Sequence, residues 1–205
     1  MTTDERGHAP VFRVPLDGGD PVRLTGQGAF SDLTVSPDGA WAYAVRSSYV
    51  EPPAAVRVAL AGTDAAGFEP GSASVELLKN PAERPELPGT LTEVEATGAD
   101  GVRVRGWLCL PRDASPQHPA PLVLWVHGGP LNSWNAWSWR WCPWLLVAQG
   151  YAVLLPDPAL STGYGHDLVQ RGWGRWGFEP YDDLMAITDV AEGRDDVDAH
   201  RTAAM

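Results

Sequence analysis

Residues 121–130 read PLVLWVHGGP. From Leu122 to Val126 every residue is apolar, with no polar alternation. An unbroken apolar run of this length suits a strand covered on both faces, as in the middle of a parallel sheet. The run ends abruptly at His127-Gly128-Gly129-Pro130. Residues 152–155 (AVLL) form a second run of the same kind. Between the two, residues 144–149 suit a helix, with Pro143 placed for its first turn and Gly150 just past its end. Strand, helix and strand make a right-handed crossover unit. A further helix is expected over residues 181–192, with Asp182 and Asp183 at its positive end and Leu184, Ile187, Thr188 and Ala191 facing inward. Residues 201–205 look like the first residues of another strand. The fold class is α/β.

Working outward, residues 102–110 (VRVRGWLCL) alternate. Val102, Val104, Leu108 and Leu110 fall on one face, and Arg103 and Arg105 on the other, which predicts a half-exposed antiparallel strand. Residues 92–96 suit its neighbour. Residues 62–88, rich in Gly, Ala, Pro and Glu, read as a linker with a possible short strand at 75–78. The first 61 residues read as β: strands at 11–16, 21–24, 33–35, 40–45 and 56–60, punctuated by Asp17-Gly18-Gly19-Asp20 and Ser36-Pro37-Asp38-Gly39. Their spacing matches β-propeller blades, which take about 40–45 residues each. A closed propeller needs roughly 4–8 blades. The expectation is therefore fewer than two blades over residues 1–61, a linker over 62–88, and the front part of an α/β domain over 89–205.

Composition narrows the partners. A net charge of −11 argues against nucleic acid, because phosphate binding needs a basic face. The start, MTTDERGHAP, lacks an apolar signal core, and no apolar run approaches the ~18 residues of a membrane span. A cytoplasmic protein with no membrane partner is expected. Cys109 and Cys142 stand far apart in apolar surroundings and read as buried thiols. Asp195, Asp196, Asp198 and His200 match no metal-loop spacing and read as a solvated helix-to-strand connection. No cofactor or metal is expected.

The chemistry concentrates at residues 127–130. In open α/β sheets, sites form at the carboxyl ends of strands. Two glycines there allow close backbone approach and leave N–H groups unshielded. An N–H aimed at a developing oxyanion is what acyl transfer requires.

Three strings extend this reading: VLWVHGGP (123–130), GYAVLLPDPALSTGYG (150–165) and RGWGRWGFEPYDDLMAITDV (171–190). With the Ser-Pro-Asp-Gly turn at 36–39, they resemble the prolyl oligopeptidase family of serine peptidases. The resemblance is to its acylaminoacyl-peptidase and dipeptidyl-aminopeptidase-like branch, with an N-terminal β-propeller and an α/β-hydrolase domain. One departure is Ala159-Leu160-Ser161 where many members read Arg-Gly-Ser. The resemblance implies an oxyanion-hole loop at His127, Gly128, Gly129 and Pro130, with the N–H of Gly129 the best donor and Gly128 second. His127 is expected to fix the loop by a hydrogen bond, not to act as catalytic base. Tyr164, Ser161 and Trp134 are candidate lining residues. Ser161 is not expected to be a nucleophile, since it lacks both an elbow and a nearby base. Trp134, Trp137, Trp139, Trp141 and Trp144 are expected to pack over the sheet edge and against the propeller rather than cage a substrate.

No Gly-x-Ser-x-Gly string occurs in the 205 residues. The resemblance would put that nucleophile elbow directly after a strand like 201–205, with the triad Asp and His later still. The expectation is a chain truncated at both ends, with none of the triad and inactive alone. Its parent would be a serine peptidase that cleaves peptide substrates through an acyl-enzyme. A carboxylesterase or lipase on the same fold, and a non-catalytic interaction protein, are the competing readings.

Overall fold

The computed structural model describes all 205 residues. The chain forms two compact units, Met1–Pro85 with Asn135–Trp137, and Glu86–Trp134 with Ser138–Met205.

The first unit is built of strands. β1 (Phe12–Arg13) and β2 (Val22–Arg23) pair antiparallel. The strands expected at 11–16 and 21–24 form only as these two-residue pieces, because the intervening Asp-Gly-Gly-Asp segment is exposed and spreads into a wide turn. β3 (Ala29–Val35), β4 (Trp41–Ser48), β5 (Glu51–Ala59) and β6 (Val75–Leu77) follow as one antiparallel sheet in sequence order. The turn between β3 and β4 is held by Asp38, whose carboxylate accepts from the Ser36 hydroxyl at 2.5 Å and from the Ala40 N–H at 3.0 Å. Val11, Leu24, Phe30, Ala42, Ala44, Val56 and Val58 form its core. The stretch read as a linker departs from that reading. β6 hydrogen-bonds to β5 with Val75 opposite Val58, and this compact unit runs on to Pro85. The short strand expected at 75–78 forms as β6, and as an edge strand it is held by backbone pairing more than by apolar side chains.

The second unit carries the mixed sheet. β7 (Gly89–Thr97) and β8 (Arg103–Pro111) form a hairpin, and β9 (Ala120–Leu124) follows. After α1 (Pro143–Val147) comes β10 (Ala152–Asp157), then α2 (His166–Gly172), α3 (Glu179–Glu192) and β11 (Val197–Ala204). The strand order is β11-β9-β10-β8-β7. β9 runs parallel to both β10 and β11, while β8 runs antiparallel to β10 and β7. α1 begins with Pro at its first turn, and Gly150 just beyond it has φ +86°, a conformation glycine adopts without strain. α2, only seven residues long, was not visible in the sequence pattern.

β8 corrects the half-exposed reading. It lies between β7 and β10 with residues of both faces buried, and Arg105 is only 4% exposed whereas Arg103 stays in solvent. A buried guanidinium needs buried or nearby carboxylates, and it has them, as described below. On one face of the sheet the core gathers Val94, Val104, Leu108, Leu122, Leu154, Ile187 and Ala191. α3 packs against this face over Gly106. A methyl group there would lie 3.2 Å from Ile187 Cδ1 and 2.8 Å from the Leu155 carbonyl, so the bare backbone is what lets the helix approach. β11 sits at a sheet edge with most of its side chains exposed. No helix is long and apolar enough to cross a membrane.

Ile187 is fully buried between α3 and the sheet. Ile187→Ala should destabilise the second unit by about 2–5 kcal/mol through lost burial and the cavity left behind. Urea unfolding monitored by tryptophan fluorescence measures this, and a change under about 1 kcal/mol would contradict the packing described.

Candidate active site

Because β9, β10 and β11 are parallel, their carboxyl ends share one edge of the sheet. Leu124 pairs with both Leu154 and Ala204. The loops after β9 and β10 both leave from that edge, and they bring the sequence candidates together.

The His-Gly-Gly-Pro loop begins where the apolar run stops. Gly128 and Gly129 are exposed, and neither N–H is engaged by any other residue of the chain. Gly129 has φ +146°, and a methyl group on it would lie 2.8 Å from the Leu131 nitrogen. Only glycine fits there without strain. The Gly129–Pro130 peptide is cis.

His127 anchors the near end of the loop. Its side chain is 5% exposed. Nε2 lies 2.9 Å from Ser161 Oγ, and Nδ1 lies 3.2 Å from the Gly128 carbonyl oxygen. A carbonyl only accepts, so Nδ1 carries the proton, and the Ser161 hydroxyl donates to Nε2. Burial holds the imidazole below its ordinary value near 6.5, against the opposing pull of the Gly128 carbonyl.

Ser161 therefore does have a base beside it, contrary to the sequence reading. With Asp157 Oδ1 at 3.9 Å from His127 Nε2, the three residues look superficially like a catalytic triad. They are not arranged as one. In a triad the serine and the carboxylate engage opposite ring nitrogens. Here both lie on the Nε2 side, and Ser161 is completely buried. The pair pins the two loops together.

Asp157 is the residue that sequence reasoning missed. It ends β10 and is 1% exposed. Its Oδ1 accepts the Trp134 backbone N–H at 2.9 Å, and its Oδ2 accepts the Tyr164 hydroxyl at 2.6 Å and Arg105 Nη1 at 3.4 Å. Arg105 reaches Tyr164 Oη at 3.2 Å and Glu93 Oε1 at 2.6 Å, and its guanidinium stacks 4.1 Å from the Trp107 ring. Burial, reinforced by the Asp157 carboxylate, drives the Tyr164 phenol well above its ordinary value, so it remains a donor. The signal was present: a lone carboxylate closing an apolar strand (AVLLPD) at the sheet edge where sites form.

The remaining candidates fall into place around this hub. Trp134 is buried and contributes its backbone: the N–H goes to Asp157, and its carbonyl accepts Trp107 Nε1 at 3.0 Å. Its ring meets Trp125 and His127 edge-on, with centroids 6.1 and 6.2 Å apart. Trp144 is also buried, Trp137 groups with the first unit, and Trp139 and Trp141 are exposed. The loop after β10 is secured from below. Asp183 of α3, which the sequence reading set at the helix end as a dipole partner, is instead fully buried. It accepts the Ala159 N–H at 2.8 Å and pairs with Arg171, which also binds Asp100.

Elsewhere, Cys109 and Cys142 are free and buried, and burial pushes both thiols up and away from reactivity. Asp196 pairs with Arg194 and Asp198 with Arg201. Asp198 and His200 lie within β11 rather than in a connection before it, because pairing with β9 begins already at Val197.

This geometry can be compared with known proteins. Residues 137–205 match the model of the prolyl oligopeptidase family of peptidases. A probable dipeptidyl-peptidase 5 from Aspergillus clavatus is 30% identical over 192 residues, covering 89% of this chain. One from Emericella nidulans is 38% identical over 103 residues, covering 49% of it. The chain belongs to the prolyl oligopeptidase family. It spans 25% and 14% of the length of those two relatives. Solved structures share the fold. An acylaminoacyl peptidase in complex with Z-Gly-Gly-Phe-chloromethyl ketone superposes with a TM-score of 0.77 at 15% identity, over 99% of this chain and 30% of that one. A puromycin hydrolase gives 0.71 at 22% identity, over 97% and 29%.

The buried His127 makes stability depend on pH. Its folded value is depressed, so the unfolded state takes up the proton first as pH falls. Stability is therefore complete above about pH 6.5 and declines below it. Urea midpoints measured between pH 7.5 and pH 5 (roughly one unit above and 1.5 units below the ordinary histidine value) should fall. His127→Gln should flatten part of that slope, and an identical slope in the variant would contradict a buried neutral imidazole.

Proposed function

We propose that this chain forms the front part of the catalytic domain of a serine peptidase, and that its His127–Pro130 loop supplies one half of the oxyanion hole. The Gly129 N–H is the principal donor and Gly128 N–H the secondary one. The observation that carries the reading is the pair of exposed, unengaged glycine N–H groups at the carboxyl edge of a parallel sheet, in a chain of this family. The second donor, the nucleophilic serine, its histidine base and the orienting acid are proposed to come from residues outside these 205. Two features support this: the absence of any Gly-x-Ser-x-Gly string, and the modest share of the relatives' length that the chain spans.

In the assembled site, the serine would attack the scissile carbonyl and transfer its proton to the histidine. The carbonyl oxygen would become an oxyanion facing the Gly129 N–H, and the acyl-enzyme would then be hydrolysed. No cofactor enters this chemistry. His127 has no proton-transfer role, since its Nε2 is occupied by Ser161 and its Nδ1 by the Gly128 carbonyl. The four-stranded antiparallel sheet of the first unit reads as one propeller blade. The substrate class is peptides with an accessible N-terminal region, as the names of the dipeptidyl-peptidase relatives suggest. The acidic charge of −11 argues against a nucleic-acid partner.

The test compares the complete gene product with the 205-residue chain. The former should take up a fluorophosphonate probe in one-to-one ratio and hydrolyse dipeptidyl-anilides faster than simple acyl esters. The latter should take up none, and stoichiometric labelling of it would sink the proposal. In the active protein, Gly129→Ala keeps the N–H, but its methyl group would lie 2.8 Å from the Leu131 nitrogen and shift the loop, so kcat/KM should fall towards the roughly 10²–10³-fold cost of losing one oxyanion donor. Unchanged kinetics in that variant would remove Gly129 from the site.

A further inference from the structure

We propose that Asp157 is the positioning residue of the oxyanion loop, holding the Gly128–Gly129 segment in place through the backbone of Trp134. The inference rests on the oxyanion reading of that loop and adds to it the residue that fixes the loop's geometry.

Two glycines have no side chains with which to anchor themselves. Their position is set by what holds the loop at either end. At the near end, His127 is tied to Ser161 at 2.9 Å. At the far end, Trp134 is held by both of its backbone polar groups: the N–H by Asp157 Oδ1 at 2.9 Å, and the carbonyl by Trp107 Nε1 at 3.0 Å. Thr162 N–H adds a bond to the Asn132 carbonyl at 2.9 Å. Of these groups, Asp157 alone reaches several elements at once.

Register explains how. Leu154 of β10 is level with Leu124 of β9, and the Trp125 N–H continues the ladder to the Leu154 carbonyl at 2.8 Å. Asp157 comes as far beyond Leu154 as His127 comes beyond Leu124, so its carboxylate lies level with the base of the loop. Its two oxygens serve two sides. Oδ1 serves the oxyanion loop, while Oδ2 serves Tyr164 on the following loop and Arg105 on β8. The carboxylate is inaccessible to water, so no solvent molecule can replace a lost partner without cost. An asparagine has one acceptor oxygen where the carboxylate has two. It can serve the loop or the Tyr164–Arg105 pair, but not both.

The experiment measures amide hydrogen exchange and amide resonances in the 15N-labelled chain, for the native sequence, Asp157→Asn and Tyr164→Phe. Asp157→Asn should speed exchange at Trp134 by at least about tenfold and move or broaden the Gly128 and Gly129 signals. Amides of the first unit, such as Val58, should be unaffected. Tyr164→Phe keeps Oδ1 free for Trp134 and should give a smaller effect in the same direction. In the active gene product, Asp157→Asn should lower kcat by about 10–10²-fold with KM nearly unchanged, the signature of a displaced donor. Gly128 and Gly129 signals that stay in place in a folded Asp157→Asn protein would overturn the proposal. If that variant does not fold, Tyr164→Phe decides on the same signals. A gene product with no peptidase activity would overturn the proposed function instead, while the exchange pattern still decides the role of Asp157.

Discussion

The parallel pairing of β9 with β10 is the constraint on which the rest depends. Leu122, Val123 and Leu124 stand opposite Ala152, Val153 and Leu154. Parallel strands cannot be joined by a tight turn, so the chain must cross over, here by way of α1. The crossover delivers both strands to the same edge with the same polarity. The loop carrying Gly128 and Gly129 and the loop carrying Ser161 and Tyr164 are thereby brought side by side. Arg105 joins them because β8 runs antiparallel beside β10, with Arg105 directly opposite Asp157. The buried polar cluster follows from strand register.

Much of this architecture was legible in the sequence, for identifiable reasons. The runs at 122–126 and 152–155 announced doubly covered strands because apolar residues without alternation fit little else between two turn signals. Pro143 and Gly150 bracketed α1, and the apolar stripe of α3 survived as Ile187 and Ala191. What failed was inference about charge. Arg105 sits in an alternating pattern that reads as solvent-facing, yet it is buried among Glu93, Asp157 and Tyr164. Asp183 looked like a dipole partner for its helix and proved to be a buried acceptor for Arg171 and for the Ala159 N–H. Both partnerships span long sequence separations, and pattern reading treats each residue against its neighbours alone. The edge strand β6 was legible as a possible short strand, but its pairing with β5 was not, because that pairing is through backbone, which composition does not record.

The cluster of Ser161, His127 and Asp157 illustrates why residue types do not suffice to name a mechanism. A serine, a histidine and an aspartate lie within hydrogen-bond range or nearly so. The nitrogen each engages, and the complete burial of the serine, make the group a clasp between loops. The same clasp gives His127 its Nδ1–H tautomer, and burial favours the neutral ring, which suits a residue that holds a loop still.

The Gly129 N–H is proposed to face the oxyanion. A crystal structure of the complete gene product bearing a covalent peptidyl chloromethyl ketone tests it most directly. The oxygen of the tetrahedral adduct should lie about 2.7–3.1 Å from the Gly129 nitrogen, with the Trp134–Asp157 bond intact. An adduct whose oxygen lies beyond about 4 Å from the nitrogens of both Gly128 and Gly129, held by other donors, would contradict it.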